Sequence, residues 1–219
     1  MSPRQGQAAP PHTHLIGEKC NKPLNAPALA AFYGGGHNGR TDCPIAGADH
    51  RRALETFAAV SENLDPHECL AALHELEDAD VRSGVYAAFD GASELLRSLP
   101  TESWALVTSN YEHRVRGRFL RTGLPVPSVI VDAATVEEGK PSPVPYLRAA
   151  ARLGAEPEDC LVIEDAPSGV QSGLQAGMTV WGVNAAVAVE GVHRHFDSLR
   201  EAVPHILAFV SGPHGYATA

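Results

Sequence analysis

Residues 160–169 read CLVIEDAPSG: four apolar side chains, two adjacent carboxylates, then a break carrying Pro167 and Gly169. An uninterrupted apolar run has the pattern of a strand covered on both faces, and the break marks a loop at its C-terminal edge. Open α/β sheets bind their ligands at that edge. Glu164 and Asp165 therefore stand where chemistry is expected.

Outward from this stretch the pattern repeats. Before it come a short helix in ASELLRSLP (92–100), an apolar run SWALVTSN (103–110), a helix in EHRVRGRFLRTG (112–123), a strand in SVIVDAAT (128–135), a loop containing EEGKPSP (137–143) and a helix in PYLRAAARLG (145–154). After it come a helix in SGVQSGLQAG (168–177) and a strand in TVWGV (179–183). Strands alternating with helices in this way predict βαβ units and a parallel sheet. The expected fold class is α/β, a parallel Rossmann-like sheet with helices on both faces.

The first half of the chain has a different texture. Residues 1–24 are rich in Pro, Gln, Gly and His and predict an irregular N-terminal segment. Within 25–88, HRRALETFAAV (50–60) and DPHECLAALHELEDAD (65–80) space Leu and Ala at helical intervals, with Asp65 as N-cap, Pro66 at the first helical position and Glu68 three residues on. The expected organisation is an irregular segment 1–24, a helical stretch 25–88, an α/β core 89–210 and a flexible tail 211–219. The 219 residues are long enough for a sizeable core, and the formal charge of -9, without a Lys/Arg cluster, argues against nucleic acid and anionic membranes as partners. The four cysteines lie far apart with no CxxC, and there is neither a signal-peptide pattern nor a run of eighteen apolar residues, so a cytoplasmic protein is expected.

Parallel strands carry the loops VTSN, EEGKPSP and EDAPSG to one rim. Thr108 and Ser109 bring hydroxyls and backbone N–H groups, Lys140 a cation, and Glu164 with Asp165 hard oxygen donors suited to Mg²⁺. Each feature alone has an ordinary explanation: a hydroxyl after a strand caps a helix, a Lys between Gly and Pro is solvated, and acids before a helix serve its dipole. Three complementary groups at one rim describe instead a site for phosphate and a divalent metal.

LVTSN (106–110), GKPSPVPYLRAAARLG (139–154) and CLVIEDAPSGVQSGLQAGM (160–178) resemble motifs two, three and four of the haloacid dehalogenase (HAD) superfamily, in particular the sugar-phosphate phosphatases and β-phosphoglucomutase-like members. The resemblance covers roughly residues 39–203, including FDSLREAV (196–203) as the final helix. It implies that Ser109, flanked by Thr108 and Asn110, holds phosphoryl oxygens, that Lys140 neutralises charge between nucleophile and phosphate, and that Glu164 and Asp165 hold Mg²⁺. It further implies that residues 25–88 are a small helical cap that closes over the site, with Arg40 of GRT (39–41) touching a small phosphorylated metabolite.

The same resemblance calls for a first motif, DxDGT or DxDGV after an apolar strand, whose first Asp attacks phosphorus and whose second is general acid and base. No Asp precedes Asp42. Asp78 and Asp80 have the spacing, but on a charged helical stretch; Asp90 precedes Gly91 but lacks a second Asp. Counting back from Gly39–Thr41, the first motif is expected at or before Met1. HTHLIG (12–17) fills part of the gap and carries no carboxylate. The expectation is therefore a phosphatase lineage with impaired turnover, or a non-catalytic relative that binds a phosphorylated ligand or partner; phosphoryl mutase chemistry is a third reading. The histidines of HTH (12–14) and HRH (193–195) read as surface residues, YGGGHNGRT (33–41) lacks the GK[ST] ending of a phosphate loop, and Trp104 and Trp181 read as core.

Overall fold

The computed structural model describes residues 54, 58–59, 65–183 and 188–211, and the backbone of 13–17. Six strands form one sheet: β1 (Thr13–Gly17), β2 (Trp104–Val107), β3 (Val129–Val131), β4 (Cys160–Glu164), β5 (Thr179–Val183) and β6 (Arg194–Phe196). Their order is β3-β2-β1-β4-β5-β6, and every pairing is parallel. The helices are α1 (Pro66–Ser83), α2 (Ala92–Ser98), α3 (Glu112–Thr122), α4 (Val144–Leu153), α5 (Pro167–Gln175) and α6 (Leu199–Ser211). The expected α/β class with helices on both faces is what the chain adopts.

The inner strands are buried along their length, and their residues fall alternately into two core layers, because successive side chains of a strand point to opposite faces. Trp104, Leu106, Leu161, Ile163, Trp181 and Val183 pack on one face with apolar residues of α2, α3 and α6. Ala105, Val107, Cys160, Val162 and Val180 pack on the other, against Tyr146, Ala149 and Ala150 of α4 and Val170 of α5. Both tryptophans belong to the core, as read. Burial pushes the Cys160 thiol up to about 12, with the nearby acids Asp159, Glu158 and Glu156 adding to it.

Residues 1–24 are not irregular throughout. Thr13–Gly17 forms the strand between β2 and β4, with Gly17 opposite Val107 and Ile16 opposite Ile163. The physical reason is that β2 and β4 each present backbone N–H and C=O groups inside the sheet, and these must be paired. Five residues satisfy both ladders, filling the gap that a missing first strand would leave. β6 is a second element that the histidine-rich stretch conceals: His193 is exposed, and its Nδ1 accepts from the Val180 N–H at 3.0 Å. Of the expected cap, α1 is the substantial described element; Asp65 caps it, accepting from the His67 N–H at 2.8 Å, and Pro66 opens it. In the expected tail, Ser211 still belongs to α6, and 212–219 lie outside the described residues.

Arginines of α3 hold α1 and the turn after it. Arg114, 2% exposed, pairs with Glu77, donates from Nε to Asp78 at 2.5 Å and from Nη2 to the His74 carbonyl at 3.1 Å. Arg121 donates to the carbonyls of Arg82 and Gly84 at 3.0 Å each. Gly117 lets the helices approach, since a methyl there would overlap Val81. Asp78 and Asp80, weighed as nucleophiles, are taken up here: Asp78 faces Arg114 and His113, and Asp80 accepts from the Tyr86 hydroxyl at 2.5 Å. Asp90 pairs with Arg200 at 2.5 Å.

Replacing Arg114 with Leu strands two carboxylates, and stability should fall by roughly 2–3 kcal/mol, less than for a fully sealed pair because Glu77 and Asp78 keep 22% and 34% exposure. The Asp78 carboxyl is held down to about 2, chiefly by the hydrogen bond from Arg114, with His113 adding to it and burial opposing. Its stabilising share is complete above its ordinary 3.8 and is lost as pH falls through about 2. Urea unfolding of both proteins between pH 2 and 6 should show the wild type losing its advantage over Arg114→Leu in that acid window.

Candidate active site

The C-terminal ends of β2 and β4 flank the end of β1, and the loop before α4 brings Lys140 to them. The chain leaves β2 through Thr108, whose hydroxyl accepts from the Asn110 N–H at 3.0 Å and whose own N–H donates to the Val131 carbonyl at 2.9 Å. Asn110 Oδ1 accepts from the Tyr111 N–H at 2.8 Å, and the Asn110 carbonyl accepts from the Ala133 N–H at 3.1 Å. The VTSN loop is thereby fixed, with Thr108 buried and Ser109 half-buried between the two residues that shape the turn. Asp132, 5% exposed at the end of β3, accepts from the Glu112 N–H at 2.9 Å and the Thr135 N–H at 3.0 Å, satisfying an N-terminal amide of α3.

Lys140 is sealed in rather than solvated. Its ammonium donates to Glu164 Oε1 at 2.5 Å and to the Val107 carbonyl at 3.1 Å, and the two side chains are 7% and 2% exposed. The other partners of Glu164 complete its shell: the Tyr146 hydroxyl donates to Oε1 at 2.7 Å, and the N–H groups of Asp165 and Ala166 donate to Oε2 at 3.1 and 3.3 Å. Burial pushes the Glu164 carboxyl upward; the Lys140 charge, with the Lys140 and Tyr146 hydrogen bonds, outweighs it and keeps the group below its ordinary value. Burial and the charge of Glu164 hold the Tyr146 phenol well above its own, so it is the donor. The Ser172 hydroxyl, on α5, donates to the Ser142 carbonyl at 2.5 Å and ties the Lys140 loop to that helix.

Of the residues singled out from sequence, Lys140 and Glu164 are joined directly, Asp165 follows Glu164, and Thr108, Ser109 and Asn110 continue from Val107, whose carbonyl holds the lysine. Arg40 lies outside the described residues. Tyr146 was not singled out, and Gly169 was read only as part of the break after the strand, although it lies in the first turn of α5. A methyl at Gly169 would overlap the Glu164 carboxyl group, so the glycine makes room for it. A glycine in the first turn of a helix, five residues after an acid, is a signal for such close approach, since glycine is otherwise costly there. The Tyr146 hydroxyl gave no comparable signal, because the residue reads as part of the apolar face of α4.

The fit to Mg²⁺ can be judged from these donors. Both oxygens of Glu164 are engaged, and among the described residues no three His, Cys, Asp or Glu side chains group as metal ligands. The described residues in this arrangement do not make a Mg²⁺ site. What they make is a buried cation at the sheet edge, beside a loop of hydroxyl and amide groups.

One parallel sheet covered on both faces, with these loops at its carboxyl edge, defines a Rossmann-like α/β architecture. The family model for haloacid dehalogenase-like hydrolases matches residues 18–177, and the chain belongs to that family. Hexitol phosphatase A of Escherichia coli (strain K12) is 40% identical over 135 residues, 61% of this chain and 62% of that protein, so the match spans less than two thirds of the relative's length. Glycerol-1-phosphate phosphohydrolase 2 of Saccharomyces cerevisiae is 29% identical over 176 residues, 73% of this chain and 69% of that protein. A HAD family hydrolase from Deinococcus radiodurans R1, solved with bound phosphate and sodium, shares the fold with a TM-score of 0.63 at 24% identity, over 93% of this chain and 99% of that one.

Removing Lys140 alone leaves a charged Glu164 in a sealed site. Lys140→Met should therefore destabilise by roughly 3–5 kcal/mol, and adding Glu164→Gln should restore a large part of the loss, because the uncompensated charge goes with it. Thermal unfolding of the two single variants and the double variant reads this directly.

Proposed function

We propose that the chain handles a small phosphorylated metabolite at the carboxyl edge of β2 and β4, as a phosphomonoester hydrolase of the sugar-phosphate phosphatase type. The observation that carries this reading is the buried Lys140 ammonium, held 3.1 Å from the last carbonyl of β2, immediately before Thr108 and Ser109. A fixed cation beside hydroxyl and backbone donors is preorganised for phosphoryl oxygens, where charge accumulates during transfer. In this reading Ser109 receives the phosphate through its hydroxyl and its N–H, Thr108 shapes the loop, and Lys140 neutralises the anion. The names of the two relatives add a substrate class: both the hexitol and the glycerol 1-phosphate compounds are phosphorylated polyols. Among the described residues no helix is long and apolar enough to cross a bilayer.

A second reading is favoured by the sequence at β1, where THLIG runs on into EKC (18–20) and not into DxDG. A first strand that does not lead into an attacking Asp matches a chain that binds phosphorylated polyols and turns them over slowly or not at all. The two readings share the same anion site and differ only in chemistry.

Phosphate release from hexitol phosphates and glycerol 1-phosphate, together with calorimetric binding of the same compounds, separates them. Binding is expected for the wild type, and Ser109→Ala should weaken it roughly tenfold, the loss of one hydrogen bond to a charged group. Absence of binding by every phosphorylated polyol would overturn both readings; binding with turnover selects the hydrolase.

A further inference from the structure

Glu164 is the more unusual half of the buried pair. A carboxylate can accept about four hydrogen bonds, and Glu164 receives four, from Lys140, Tyr146, the Asp165 N–H and the Ala166 N–H. Three of the donors have fixed positions. Two are backbone groups at the start of α5, and the third is the Tyr146 hydroxyl, on a fully buried ring whose remaining atoms lie in the apolar layer with Ala149 and Ala150. The Tyr146 ring also flanks the cation, with Lys140 Nζ 5.2 Å from its centroid. The space at Gly169 admits the carboxyl group from the α5 side.

We propose that Tyr146 is a positioning residue, whose hydroxyl holds Glu164 as the counter-ion that aims Lys140 at the end of β2, and that Glu164 in this chain serves the lysine rather than a metal. Without the phenol, Oε2 would keep its two backbone donors, but Oε1 would face the mobile end of the lysine chain alone. With the phenol in place, Oε1 is pinned from a rigid ring, and the ammonium is bracketed between that oxygen and the Val107 carbonyl. The reading rests on Lys140 being the phosphate-handling cation.

Tyr146→Phe keeps the ring and removes only the hydroxyl. Two measurements on the full chain test the proposal: the ammonium resonance of Lys140 in ¹⁵N-lysine-labelled protein, assigned by its absence in Lys140→Arg, and the Kd for inorganic phosphate. A sealed, bracketed ammonium exchanges slowly enough to be seen; in Tyr146→Phe it should broaden beyond detection, with phosphate Kd rising about fivefold. A Tyr146→Phe protein that keeps the resonance and the Kd, whatever its Tm, would overturn the proposal. If the wild type binds no phosphate, the function proposed above fails and the ammonium resonance alone decides: its loss in Tyr146→Phe supports the positioning role, its persistence refutes it. A Mn²⁺ titration tests the other half. Glu164→Gln is expected to change Mn²⁺ affinity less than twofold, and a tenfold loss would identify Glu164 as a metal ligand after all.

Discussion

A charged carboxylate 2% exposed at the end of an inner strand survives only if the surroundings replace its water. In this chain the replacement comes from four different places: a loop, a helix face and two consecutive amides. That requirement explains much of the rest. The loop must bring Lys140 inward and be anchored, as the Ser172 bond to Ser142 does. α4 must set its tyrosine toward β4, and α5 must begin with small residues so that the acid fits beneath it. The parallel sheet is what makes these demands compatible, since it delivers the ends of β2 and β4 to the same side with the end of β1 between them.

From Ala92 to Val183 the fold was legible because its signals agree. Fully buried parallel strands are continuous apolar runs, and here each gives way to a polar residue, Thr108, Asp165 or Asn184. WALV, CLVIE and TVWGV are runs of that kind, and all three are strands. Thr13–Gly17 and Arg194–Phe196 were not legible. THLIG opens on two polar residues inside a Pro- and Gln-rich stretch, and RHF has two charged or titratable residues in three. Their strand character comes from the backbone partners that β2, β4 and β5 offer, which is tertiary information and leaves no period in the local sequence.

The site was legible as a location more than as a set of bonds. Alternating strands and helices imply that Thr108, Lys140 and Glu164 share a rim. They say nothing of how deeply each is buried, and burial decides the chemistry. A solvated Lys140 and a metal-facing Glu164 would be separate groups with separate tasks. Sealed together they form one ion pair, and the tyrosine that donates to it looks in sequence like any aromatic residue on the inner face of a helix.

Cys160 stands at the opposite end of β4 from Glu164, fully buried, with its thiol donating to the Glu156 carbonyl at 3.3 Å. Because the surroundings keep sulfur protonated far beyond neutral pH, the nucleophilic thiolate is scarce while the sheet is intact. The strand that carries the acidic end of the rim is thus chemically mute toward oxidants and alkylating agents at its other end. Such reagents gain access to it only through the excursions in which β4 parts from its neighbours, so their reaction rate measures how often the sheet opens.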